Sequence, residues 1–170
     1  SNVVLSTTTS AKTASDIKAD LEESLMTLHT DFIDLYQYET EKFVPMDNCA
    51  DKIYDTLLEL KNQGKIHHIG LVTTDFETAM KAIDSGRYET LQFPFNMIVP
   101  ENYFMLAKKC EEKDIGFIAM QPLCGGVIQN IPLALGFLHQ FENVIPLWGA
   151  TTLDEMTQIM YFNSNPPVID

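Results

Sequence analysis

A parallel α/β fold is what this sequence predicts, and three observations predict it. The stretch from Lys61 to Phe95 sets two short apolar runs, Ile66–Thr73 and Thr90–Phe93, on either side of a helical pattern over Asp75–Asp84. Strand, helix, strand with brief connections is a parallel crossover unit. The same alternation runs from end to end, about six βα units, which implies a parallel sheet covered by helices. No low-complexity tract or linker interrupts it, so the chain of 170 residues reads as a single domain, 1–170.

Each element has its own signal. Val3-Val4-Leu5 reads as a buried strand running into the polar segment Ser6–Ser10. Ser15 is the expected cap of the first helix, whose Ile17, Leu21, Leu25 and Leu28 recur at helical spacing. Asp31–Gln37 is strand-like, and Thr40–Asn48, which contains Pro45, is a loop. Ile53, Leu57, Leu58 and Leu60 mark a helix that ends at Gly64. The helix over Asp75–Asp84 stops at Ser85-Gly86. Pro94–Val99 is a loop, and Pro100 falls where a first helical turn accepts proline, with Tyr103, Leu106 and Cys110 inward. Gly116–Met120 is a buried strand, Leu133–His139 a helix, and Val144–Leu147 the last strand. Gly149–Thr152 then turns into a helix over Leu153–Tyr161.

Composition excludes several partners. A net charge of −13 argues against nucleic acid and against anionic membrane surfaces. No Lys or Arg follows Lys113, so the last third must hold any anionic ligand with backbone amides. No apolar run approaches the roughly 20 residues that span a bilayer. No secretory signal is visible and Ser1-Asn2 reads as a tag remnant, so a cytoplasmic protein is expected. Cys49, Cys110 and Cys124 are odd in number and lack metal-type spacing, as free thiols in a reducing compartment do. Cys124, before Gly125-Gly126, has no nearby base or cation in sequence to lower its pKa. His67-His68 are neighbours on a strand and point to opposite faces, so no metal site is expected.

Several segments resemble the aldo/keto reductase family. Asp20–Leu25 and Thr30–Gln37 are similar to its third helix and fourth strand. Gly64-Lys65-Ile66-His67-His68-Ile69-Gly70 resembles its GKIRHIG segment. Leu91–Asn96 and Gly116–Met120 are similar to later strands, and Gln140–Gly149 points to a branch that carries a C-terminal ferredoxin-like iron–sulfur segment. The resemblance implies a (β/α)8 TIM-type barrel represented by strands three to eight, and an oxidoreductase that reduces carbonyls with NADP(H) or NAD(H). It implies a catalytic Tyr, Asp, Lys and His. The strands that would carry the Tyr and Asp are missing from this stretch, and no iron–sulfur cluster is expected within it.

At the matching positions the residue types change. Thr8 stands where the family has its Lys, and a hydroxyl cannot stabilise a tyrosinate as an ammonium does. Glu39 stands where the family has its His; it reads either as a weak candidate acid or as a solvated carboxylate. Gln92 matches the residue that holds the nicotinamide amide, and equally suits a strand-end amide satisfying a loop. Val72-Thr73 replaces the pair expected on the other side of that amide, and Gln121 replaces a frequent Lys. Gly149, Thr151 and Thr152 open a helix whose amides could hold a cofactor phosphate. Asp154 and Glu155 in that first turn satisfy the helix dipole and repel a phosphate. Weak binding of NADP(H) is therefore expected, with NAD(H) less disfavoured. Two readings stay open: an oxidoreductase domain inactive as this isolated chain, or a non-catalytic relative serving binding or assembly. Open strand edges predict a homodimer or an N-terminal segment that covers them.

Overall fold

The computed structural model describes residues 3–167, so Ser1-Asn2 lies outside the described residues. Its elements alternate as β1 (Ser6–Thr9), α1 (Ala14–Leu28), β2 (Ile33–Glu39), α2 (Ile53–Asn62), β3 (Ile66–Val72) and α3 (Phe76–Ser85). They continue as β4 (Thr90–Pro94), α4 (Phe104–Glu112), β5 (Gly116–Met120), α5 (Ile131–Leu138), β6 (Val144–Pro146) and α6 (Leu153–Ser164). The strands lie in chain order in one sheet, and the pairings of β1 with β2, β2 with β3, and β5 with β6 are parallel. The chain gathers into two compact units, residues 1–91 and 92–170.

Several boundaries differ from the sequence reading, and three of them have a clear local reason. The first strand is Ser6–Thr9 rather than Val3–Leu5. Partner register decides it: Ser6 pairs with Leu35 and Thr9 with Tyr38, whereas the Leu5 amide donates to the Asp34 side chain at 2.9 Å. Val3 and Val4 are left exposed. The α1 cap is Thr13 rather than Ser15; its extended backbone lets the side chain accept the Asp16 amide at 3.2 Å. Helix α5 begins at Ile131, because the Asn130 side chain accepts the Leu133 amide at 3.0 Å. Pro100 stands just before a 3-10 turn, Glu101–Tyr103, which leads into α4. Gly86 closes α3 at φ 63°, a left-handed position that glycine adopts without a Cβ penalty.

In the first unit the core lies between strands and helices. Ile17 and Leu21 of α1, Leu57 and Leu60 of α2, and Ile69 and Leu71 of β3 are buried there. Leu28, expected on the same inner face of α1, is exposed, because the helix ends at His29 in a left-handed cap. Tyr36 donates to the Ile17 carbonyl at 3.3 Å, and burial pushes its phenol up to about 12. Strand alternation turns Ser6, Thr8, Gln37, Glu39 and Gly70 to the other face, where Gln37 donates to Ser6 at 3.3 Å. The same face also carries the buried Ile33, Leu35, Ile66 and Val72, so polar and apolar side chains share it.

The second unit has two apolar centres. Phe95 is fully buried, with the rings of Phe104, Phe117, Phe137 and Phe141 between 5.1 and 5.7 Å from its own. Leu106, Ala107, Cys110 and Phe117 are also fully buried, and desolvation raises the Cys110 thiol to about 12. The other centre is Ile131, Leu135 and Ile159, with Leu123, Trp148, Ala150 and Phe162 packed against it. All three cysteines are free thiols.

Candidate functional site

In the first unit the strand ends carry hydroxyls and carboxylates. Thr8 pairs in register with Gln37 and Glu39 with Val72, so Thr8 and Glu39 share a face of adjacent strands, two residues apart in register. Both are exposed. The turn after β3 is filled from within the chain. The Glu41 carboxylate accepts the Thr74 amide at 3.1 Å and the Thr74 hydroxyl at 2.8 Å. Thr73 is fully buried, and its hydroxyl donates to the same carboxylate at 3.4 Å. Donors that face a strand end are thus engaged by an acid from the preceding loop.

His67 and His68 have separate surroundings. His67 stacks on Phe32 with ring centroids 4.5 Å apart and lies 3.4 Å from Asp34. His68 lies 2.6 Å from Glu89, which also pairs with Lys61 at 2.6 Å. Among the described residues no group of three or more His, Cys, Asp or Glu is placed to hold a metal ion, and no helix is long and apolar enough to cross a membrane.

In the second unit a hollow of about 670 Å³ opens beyond the ends of β5 and β6. Met120, Leu123, Leu147, Trp148 and Ile159 form apolar walls, and Gln121, Gly149, Thr151 and Glu155 reach its edge. Gln92 stands nearby on β4, its side-chain nitrogen 4.0 Å from the Met120 sulfur. Thr152 caps α6 in a capping box with Glu155. The Glu155 carboxylate accepts the Thr151 amide at 2.8 Å, the Thr151 hydroxyl at 3.0 Å and the Thr152 amide at 3.1 Å. These bonds, the Thr151 amide foremost, hold Glu155 below the usual carboxylate range.

The sequence profile of the aldo/keto reductase family matches residues 2–160. The chain belongs to the aldo/keto reductase family. It is 28% identical over 113 residues to the aldo-keto reductase YhdN of Bacillus subtilis, covering 66% of this chain and 33% of that one. The match to the uncharacterized oxidoreductase YqkF of the same organism is 26% over 119 residues, 69% of this chain and 37% of that one. In fold it is similar to the aldo-keto reductase AKR11C1 from Bacillus halodurans, at a TM-score of 0.83 and 17% identity, over 99% of this chain and 68% of that one. An aldo/keto reductase from Klebsiella pneumoniae solved with NADP and acetate matches at 0.79 and 19%, over 99% of this chain and 66% of that one. The alignments thus span about a third of the curated relatives and about two thirds of the solved chains. The six-stranded parallel sheet is a partial TIM-barrel-like fold of aldo/keto reductase type.

The family implies a nicotinamide dinucleotide, and the residues present do not fit its phosphates. The α6 amides that would receive an oxyanion already bond Glu155. No Lys or Arg follows Lys113 to supply a counter-charge. A Cβ built on Gly149 would stand in open space, so protein packing alone does not require glycine there. Of the residues singled out in the sequence, the hollow brings together Gln121, Gly149, Thr151 and Glu155, with Thr152 adjoining. Glu41 and Trp148 were not foreseen. The reach of Glu155 had a readable signal, the Thr-x-x-Glu spacing of Thr152–Glu155.

Proposed function

We propose that this chain is an aldo/keto reductase-type oxidoreductase domain that does not reduce carbonyls in isolation and binds NADP(H) weakly. The observation that carries this reading is Glu155 seated on the Thr151 and Thr152 amides. Displacing a carboxylate held by three hydrogen bonds removes most of what a helix terminus offers a phosphate. Thr8 and Glu39 add to it, since neither supplies the cation or the imidazole that the resemblance calls for. NAD(H), with one charged group fewer, is less disfavoured. A small carbonyl compound is the substrate class, and the cytoplasm is the compartment that three free thiols suit.

The test is a reduction assay with NADPH and a simple aromatic aldehyde, beside a fluorescence titration of NADPH at physiological salt. The isolated chain should give no rate above buffer. The Thr8→Lys, Glu39→His double variant should stay inactive, because the Tyr acid is still lacking. Micromolar NADPH affinity or turnover by the wild-type chain would overturn the reading.

The proposal extends to assembly. The sheet ends at β1 and β6, and Ile145 and Leu147 at the β6 end are 67% and 52% exposed. Unpaired edges flanked by apolar side chains recruit another strand. A second copy of the chain, or a further segment of the same protein, covers them. Sedimentation of the isolated chain should reveal a dimer; a monomer that persists at high concentration counts against the second copy.

A further inference from the structure

The hollow beside Trp148 has a chemistry of its own. Its volume, about 670 Å³, lies in the range of small-molecule sites. Its walls are the apolar Met120, Leu123, Leu147, Trp148 and Ile159, and the ionisable residue at its edge is Glu155. The carboxylate is fixed by Thr151 and Thr152, so it does not need to be ordered when a ligand arrives. An anion entering here meets like charge and no cation. An apolar group meets the Trp148 indole and aliphatic walls, and a positive charge meets the Glu155 carboxylate.

We propose that this hollow binds a small aryl-alkyl ammonium compound, ring against Trp148 and charged head toward Glu155, in place of a phosphate-bearing dinucleotide. The inference rests on the reading that the α6 amides no longer serve a phosphate. Trp148 is the only tryptophan in the chain, so its emission reports directly on this site.

The experiment titrates the whole chain with three probes that share a phenyl ring and differ in head group: 2-phenylethylamine, 2-phenylethanol and 3-phenylpropanoate. The amine should change Trp148 emission saturably and bind about fivefold more tightly than the carboxylate. Glu155→Gln keeps a capping-box side chain at that position, so the fold should persist while the amine loses its advantage over the alcohol. Should the variant unfold, salt gives a second measurement on the wild type: raising it should weaken the amine and leave the alcohol unchanged. Equal or tighter binding of the carboxylate, or no saturable response to the amine, overturns the proposal. NADPH in the same titration separates the two readings. Tight NADPH binding defeats both, whereas absence of binding by NADPH and amine alike leaves the weak-cofactor reading standing and sinks this one.

Discussion

Replacing Phe95 with alanine is expected to cost about 3–5 kcal/mol of stability, the range for a fully buried aromatic truncated to a methyl group. Phe95 follows β4 and has no exposed surface. Phe104 and Phe141 meet it edge-on at interplanar angles of 90° and 81°, and Phe137 lies tilted at 35°. Edge-to-face pairs add to simple burial, because the positive edge of one ring meets the negative face of another. Four surrounding rings on different elements cannot all move inward, so a cavity remains and its lining loses dispersion contacts outright. Urea unfolding followed by circular dichroism should show a large fall in midpoint. Met105→Ala on α4 is the control: Met105 is exposed, and its loss should stay within about 0.5 kcal/mol. A Phe95→Ala cost no larger than that of Met105→Ala would mean that the aromatic cluster does not hold this unit together.

The regular part of this architecture was legible because each element carries a local signal. Gly116–Met120 was placed to the residue, since a short apolar run between a helix end and a loop has few other solutions. Asp75 and Gly86 bracketed α3 for the same kind of reason, a side-chain cap at one end and a left-handed glycine at the other. The first strand was misplaced because it is made of hydroxyl residues. What makes Ser6–Thr9 a strand is the ladder offered by β2, and hydropathy along the chain does not record a partner. The candidate site was legible in its residue types and not in its contacts. The absence of cations after Lys113 is visible in composition. That Glu155 and Glu41 each bend back to fill a set of amide and hydroxyl donors depends on loop paths that no periodicity encodes. The spacing of Thr152 and Glu155 announced one of these; nothing near Glu41 announced the other.

Gly70→Ala should destabilise the first unit by about 1–3 kcal/mol, the cost of overpacking a filled interior. The position does not need glycine for its backbone, and the difficulty is space. A Cβ on Gly70 would collide with the Thr90 hydroxyl and lie 2.9 Å from Cγ and 3.1 Å from Oε1 of Gln37. Gln37 has a long side chain that can yield by rotation. Thr90 is β-branched, and turning χ1 to move its hydroxyl risks bringing its methyl group into the same space. The Thr90 hydroxyl is also buried with no hydrogen-bond partner among the described residues, so little is lost by removing it. Thr90→Ala alone should therefore be near neutral, and the Gly70→Ala, Thr90→Ala pair should recover at least half of the Gly70→Ala loss. That non-additivity is the diagnostic, since a generic effect of alanine on strand propensity would add to whatever Thr90→Ala does. Chemical denaturation of the four proteins in the cycle measures it. If the two changes simply add, the packing of Gly70 against Thr90 is not what fixes a glycine at this position of β3.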